Sequence, residues 1–242
     1  MQVYSQSDIG LKRLSNQDYC LSGRFSDEAV WAVVCDGMGG ANGGSTASRV
    51  AAETIAGTIE SGYRSEMSPE EIKELMELAV GCANHSVYDM SIHVPGLSGM
   101  GTTVVCAIAG KKTVHVIHAG DSRAYLYNDE SLTQLTTDHS IVQEMVTAGE
   151  LTPEQARQHY MKNIITRALG TEPYLKTDYI SVPFGGGSKL IICTDGMSNY
   201  ITDESLLEFI RTNSCDELTE KLIESSKELG GSDNITVAVI AG

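Results

Sequence analysis

The chain has 242 residues, 41% hydrophobic and 20% charged, with 17 Lys plus Arg against 32 Asp plus Glu and a formal net charge of −15. That balance suits a globular protein with a real core and disfavours nucleic acid and anionic membranes as partners. A phosphate-bearing substrate would gain no long-range attraction from such a surface, so local cations would have to supply it.

No run approaches the roughly 18 apolar residues of a membrane span, and residues 1–6 lack the basic and apolar regions of a signal peptide. The expectation is therefore a cytoplasmic monomer without membrane or nucleic-acid partners. Six cysteines occur with no CxxC pair. They read as reduced thiols, those at 35, 106 and 193 packed as small hydrophobes.

In chain order, the first strand-like run is 29–35, rich in Val and flanked by turn residues. A helix is predicted from about 46 to 60, with Val50, Ile55 and Ile59 inward. Ser68-Pro69-Glu70-Glu71 supplies an N-cap serine, a proline at the first helical position and a glutamate at the third. The helix it opens carries Ile72, Leu75, Met76, Ala79, Ala83 and Val87 as a buried stripe. Strands follow over 102–127, broken at 110–112 and 120–121, and Thr152-Pro153-Glu154-Gln155 repeats the helix cap. Strands are predicted at 177–182 and 189–193, a helix from Ser214 to about Gly230, and a last strand at 235–240. Strand groups with helices between them predict α+β layers, the helices packed outside the sheets.

Three apolar runs end alike, at Asp36-Gly37, Asp121-Ser122 and Asp195-Gly196, and Asp233-Asn234 stands just before the last strand. A carboxylate at the mouth of a buried strand is held rigidly with its oxygens outward. Several at one sheet edge would form a cage of hard oxygen ligands. Asp-Gly is also a hairpin signal, but residues 37–44 are glycine-rich and lead to a helix, and residues 197–200 also lead to a helix. Neither is a hairpin. From spacing alone, the aspartates read equally as metal ligands and as ordinary loop residues.

The glycine stretch lacks the lysine of a Walker loop and the last glycine of a dinucleotide motif. His115 and His118 lie three apart in a strand, hence on opposite faces, which disfavours a shared zinc. No Gly-x-Ser-x-Gly elbow or reactive-cysteine signature supports covalent catalysis.

Taken together, the segments resemble the PP2C-type (PPM) metal-dependent serine/threonine protein phosphatases in their bacterial form. Asp8-Ile9-Gly10-Leu11-Lys12-Arg13-Leu14-Ser15-Asn16-Gln17-Asp18 is similar to the first motif of that family, and Cys35-Asp36-Gly37-Met38-Gly39-Gly40 to the second. Gly101-Thr102-Thr103, Gly120-Asp121-Ser122-Arg123, Asp138-His139-Ser140, Thr166-Arg167-Ala168-Leu169-Gly170, Thr194-Asp195-Gly196 and Ser232-Asp233-Asn234-Ile235-Thr236 follow in family order. The likeness runs from about 8 to 240. It implies one catalytic domain over 1–242, an α-β-β-α sandwich of two antiparallel sheets flanked by helices, with a flap subdomain at about 139–165.

The resemblance also implies roles. Asp36 would bridge two Mn²⁺ or Mg²⁺ ions, with the Gly37 carbonyl on one of them. Asp195 and Asp233 would complete the other, and Asp18 would act through a metal-bound water. Asp121 and Asp195 would hold a third, weaker ion, and Arg13 would bind the phosphate. The implied reaction is hydrolysis of phosphoserine and phosphothreonine in proteins by metal-activated water, opposing a bacterial Ser/Thr kinase.

One departure concerns the proton donor. Met38 stands where many eukaryotic members carry a histidine, and Ala41-Asn42 where many bacterial members carry one shortly after the second glycine. No protein general acid is assigned, and a metal-bound water is the expected substitute. Two other readings stay open: a narrow phosphatase of one signalling partner, and a non-catalytic binding module that keeps the fold.

Overall fold

The Val-rich run at 29–35 is apolar at every position because it is buried on both sides. Val30, Ala32 and Val34 point one way, and Trp31, Val33 and Cys35 the other, all at most 3% exposed. Continuous rather than alternating hydrophobicity is what a strand covered on both faces requires. The structure, a computed structural model, describes residues 1–242 except for the side chains of Ala41 and Asn42.

The elements in order are β1 (Gln2–Asp8), β2 (Asp18–Arg24), β3 (Val30–Met38), α1 (Gly40–Gly62), α2 (Pro69–His93), β4 (Gly101–Thr102), β5 (Val104–Ala109) and β6 (Thr113–Ala119). Then come β7 (Arg123–Asn128), β8 (Ser131–Gln134), α3 (Ile141–Thr147), α4 (Pro153–Gln158), β9 (Asp178–Pro183) and β10 (Lys189–Cys193). The chain finishes with α5 (Asp195–Ser198), α6 (Asp203–Thr212), α7 (Cys215–Glu228) and β11 (Ile235–Ala241).

Two antiparallel sheets face each other, one ordered β1-β11-β10-β7-β8 and the other β2-β3-β5-β6-β9, with β4 paired to β3. Between them lies a core of Val30, Val34, Val105, Val116, Ile192 and Ile240. On the outer face of the second sheet, Trp31, Val33 and Cys35 meet Ile55, Ile59, Met76 and Ala79 of α1 and α2. On the outer face of the first, Ile191, Val237 and Val239 meet Met197, Leu206 and Leu222 of α5, α6 and α7. The α-β-β-α sandwich follows.

The predicted caps form. Ser68 accepts from Glu71 N–H while Glu71 returns the bond, and Thr152 does the same with Gln155. Ser214 is the N-cap of α7, where its hydroxyl meets Glu217. Two predicted boundaries are corrected. The strand of Asp36 does not stop there: β3 runs to Met38, Gly37 pairing with Thr102 and Met38 with Gly101. Helix α1 begins at Gly40, not near Thr46, inside the stretch read as a glycine loop. Gly43 and Gly44 serve close packing there, since a Cβ on Gly44 would lie 2.7 Å from the Gly37 carbonyl oxygen and one on Gly43 3.0 Å from Met100 Cβ. The side chain of Ala41, central to the missing-histidine argument, lies outside that description.

Residues 139–165 leave the sandwich, carry α3 and α4, and return through a bridge between Ser140 and Ile165. Among the described residues no helix is long and apolar enough to cross a membrane.

Candidate metal centre

The start of β2, the ends of β3 and β6, the end of β10 and the start of β11 meet at one edge of the sandwich. Strand pairing sets the first contact: Asp18 lies opposite Asp36 across the β2–β3 ladder. Asp121 follows β6, Asp195 opens α5 directly after β10, and Asp233 precedes β11. Asp36, Gly37, Asp121, Asp195 and Asp233 line a cavity of about 620 Å³, with Arg13 on its wall. Asp18 lies one layer beneath, 6% exposed, and is not among the lining residues.

Each carboxylate is held by neighbours. Thr194 and Thr236 hydroxyls donate to Asp18 Oδ2 at 2.9 and 2.7 Å. The Asp36 N–H donates to Thr103 Oγ1 at 3.0 Å, and Thr103 and Ser122 share a hydroxyl bond of 2.7 Å. Asn199 Nδ2 donates to Asp195 Oδ2 at 3.0 Å. Arg13 Nη2 lies 2.7 Å from Asp233 Oδ2. Asp233 itself is aimed by its neighbour: Asn234 Nδ2 donates to the carbonyls of Ile9 and Ser15 at 2.9 and 3.1 Å, and its Oδ1 accepts from Gln17 N–H at 2.8 Å. Asn234 thereby clamps loop 9–15, which carries Arg13, to the start of β11.

Gly37 could not be another residue. A Cβ there would lie 2.1 Å from the Gly44 carbonyl oxygen and 2.6 Å from that of Gln17. The backbones of β3, α1 and the approach to β2 touch at this point, which fixes the height of Asp36 in the cavity.

The assembled charges oppose one another. Burial pushes the Asp36 carboxyl well above the usual range, and Asp18, Asp195, Asp121 and Asp233 push it further. Burial likewise raises Asp18 to about 7, against the two hydroxyl donors, with Asp195 and Asp233 adding to the rise. Asp121 reaches about 7 through burial and the charges of Asp195 and Asp138. Asp195 reaches about 6 through burial and Asp233, held back by Asn199, Lys162 and Arg13. Arg13 is raised, chiefly by its bond to Asp233. One oxygen is left over: Asp195 Oδ1 is buried without a hydrogen-bond partner. Buried anions that repel one another, with an orphaned carboxylate oxygen among them, fit a site for cations. The all-oxygen donor set suits hard divalent ions.

A second cluster fails the same test. His118, His139 and Asp178 present ligand-type atoms within 4.8 Å of one another. Yet the two imidazoles stack at 4.7 Å with planes 7° apart, so their in-plane lone pairs run parallel and do not converge. Arg167 Nη1, 2.9 Å from His139 Nε2 and 2.8 Å from Asp178 Oδ1, already places a cation there. The cluster instead ties the base of the 139–165 excursion to the Asp121 turn. His139 N–H donates to the Gly120 carbonyl at 2.9 Å, and Gly120 N–H donates to His139 Nδ1 at 3.1 Å.

The structure thus brings Arg13, Asp36, Gly37, Asp121, Asp195 and Asp233 to one cavity and places Asp18 beneath it. Thr103, Thr194, Thr236 and Asn234 hold this arrangement, and sequence reading gave none of them a role. Each belongs to a quoted motif, which was the available signal, but their partners lie up to 225 residues away. Met38 lines the cavity, and among the described residues that line it there is no histidine.

The profile of the family described as Protein phosphatase 2C matches residues 11–229. The chain is 33% identical over 241 residues to the serine/threonine phosphatase stp of Listeria monocytogenes serotype 4b (strain F2365), covering 99% of this chain and 95% of that one. Its fold superposes on the serine/threonine phosphatase Stp1 from Staphylococcus aureus with a TM-score of 0.92 at 27% identity, covering 100% and 94% of the two chains. It also matches the catalytic domain of the serine threonine protein phosphatase PstP in complex with two manganese ions, with a TM-score of 0.86 at 30% identity and coverage of 98% and 96%.

Proposed function

The chain belongs to the protein phosphatase 2C family, and from that premise we propose that it hydrolyses phosphoserine and phosphothreonine in proteins, using Mn²⁺ or Mg²⁺ held by the aspartate cage. The orphaned Asp195 Oδ1 among mutually repelling carboxylates, beside Arg13, carries this reading. Asp36, the Gly37 carbonyl, Asp195 and Asp233, which line one cavity, would hold two such ions. Asp18, buried beneath the cavity, would act through a water, and Asp121 with Asp195 would hold a third ion. Bound there, the metals supply a strong water-derived nucleophile near neutral pH and offset charge on the phosphoryl group.

The protein's own side chains then position the reaction. Arg13 presents a planar fork that holds phosphoryl oxygens while one of its nitrogens stays on Asp233, so phosphate and carboxylate are placed relative to each other. Thr194 and Thr236 keep the Asp18 carboxylate turned toward the cage. Thr103 fixes the backbone of Asp36. Segment 139–165 acts as a flap whose Asn163 and Ile165 close one wall of the cavity. With no histidine among the described lining residues, no protein general acid is assigned, and a water held at the site would protonate the leaving alkoxide. The partners this reading assigns are cytoplasmic phosphoproteins and the Ser/Thr kinase that modifies them.

Turnover of a phosphothreonine peptide with Mn²⁺ and with EDTA tests the reading. Hydrolysis should appear with Mn²⁺, vanish with EDTA, and fall at least about 1,000-fold in Asp36→Asn. Undiminished hydrolysis in EDTA, or wild-type turnover by the variant, refutes it.

A further inference from the structure

Ten large hydrophobic side chains are exposed among the described residues, and they are not scattered evenly. Ile9, Leu11 and Leu14 are 39%, 62% and 101% exposed on the loop that carries Arg13, and Leu229 is 58% exposed beside it at the end of α7. Leu14 also lines the cavity, as do Met38 and Ile165 on other walls. Ile164, 46% exposed, stands on the flap side.

A mobile loop could turn such leucines inward, but loop 9–15 is fastened. Asn234 holds the carbonyls of Ile9 and Ser15, and Leu11 N–H donates to the Gly231 carbonyl at 2.7 Å. Gly10 adopts φ +75°, with its N–H on Asp8 Oδ1 at 2.8 Å, and Asp8 is paired with Lys227 at 2.9 Å. A Cβ at Gly10 would lie 2.1 Å from the Asp233 carbonyl oxygen, so the loop backbone is seated directly against that of Asp233 and only glycine fits there. Folding gains nothing from holding a leucine fully in water. The segment also carries Lys12 and Arg13 and no acidic residue, in a chain of net charge −15.

We propose that this lip is the docking strip for the substrate polypeptide, and that it selects phosphoresidues flanked by aliphatic or aromatic side chains. The proposal rests on the phosphatase reading of the same cavity and is continuous with its phosphate-binding wall. Consecutive Cα atoms are about 3.8 Å apart, which puts Leu14 and Leu11 within about 8 Å of the Arg13 backbone. Side chains one to three positions from the phosphoresidue of an extended peptide reach that far. Lys12 and Arg13 favour the phosphate itself over a carboxylate-rich flank, which the anionic remainder of the surface repels.

The test uses two phosphothreonine peptides of equal length and charge, one with leucine at the two positions on each side of the phosphoresidue and one with serine there. Wild type should favour the leucine peptide by about tenfold in kcat/KM, mainly through KM. In Leu11→Ser/Leu14→Ser the preference should fall to within about twofold. Both side chains are exposed, so the variant should melt with wild type, and Leu14→Ser alone serves as the milder second variant. Wild-type turnover of p-nitrophenyl phosphate in Mn²⁺ checks the phosphatase reading separately. Equal kcat/KM for the two peptides in wild type, or an undiminished preference in the double variant, overturns the proposal. So does a wild-type dimer in sedimentation that the double variant loses, which would assign the strip to a second copy of this chain.

Discussion

The aspartate cage should be a source of instability whenever it holds no cation, and Asp18→Asn exposes this. Asp18 is 6% exposed and its carboxyl is raised from 3.8 to about 7 by burial and by Asp195 and Asp233, despite two hydroxyl donors. A carboxyl raised in the folded state is harder to ionise there than in the unfolded chain. Its cost is therefore small near pH 4, grows between about 4 and 7, and is complete above 7. A rise of this size corresponds to about 4 kcal/mol at pH 8 and about 1 kcal/mol at pH 4.5. Asparagine keeps an acceptor for Thr194 and Thr236 but has no charge. If about half of the relief survives the loss of charge-assisted bonding, metal-free Asp18→Asn gains about 2 kcal/mol at pH 8, or about 4–8 °C in Tm. Thermal melts followed by circular dichroism in EDTA, at pH 4.5 and 8, measure it directly. With saturating Mn²⁺ the order should reverse, because wild type gains binding free energy that the variant lacks. A metal-free variant melting at or below wild type at pH 8, or an advantage equally large at pH 4.5, would refute the electrostatic account.

Arg13→Ala removes the guanidinium that faces the cavity and pairs with Asp233. It should chiefly raise KM for a phosphothreonine peptide, by about tenfold or more, and unchanged KM and kcat in steady-state assays would remove it from the site. Thr103→Val strands the Asp36 N–H and the Ser122 hydroxyl. It should cost about 1–3 kcal/mol in urea denaturation and weaken Mn²⁺ binding in calorimetric titration. Gly37→Ala drives a methyl group into two backbone carbonyls. A loss above about 3 kcal/mol is expected in the same denaturation assay, and a near-neutral variant would show that the backbones there can separate.

The strands buried on both faces were legible because burial leaves a mark in composition. β3, β5, β6, β10 and β11 read as apolar runs, and the aspartates at their ends followed from where those runs stop. β1, β2 and β8 were missed. Their sequences, QVYSQSD, DYCLSGR and SLTQ, are mixed, and most of their residues are only partly buried. The start of α1 was hidden by glycines, which ordinarily argue against helix. Gly43 and Gly44 are placed there by the proximity of Met100 and of the Gly37 carbonyl, and local propensity contains neither. The same limit applied to the supports of the site. Thr194 and Thr236 hold an aspartate 176 and 218 residues away in the chain, a relation that only the paired strands create.

The pairing of β1 with β11 joins residues 2–8 to 235–241. Asp233 and the Asn234 clamp lie immediately before β11, so the cage and the fastening of loop 9–15 are completed only when β11 joins strands that all precede it in the chain. During synthesis most of both sheets can form while the centre still lacks a carboxylate and the Arg13 loop its fastening. Until β11 pairs with β1 and β10 the cage therefore stays open, and disrupting that strand should undo the site as surely as removing an aspartate.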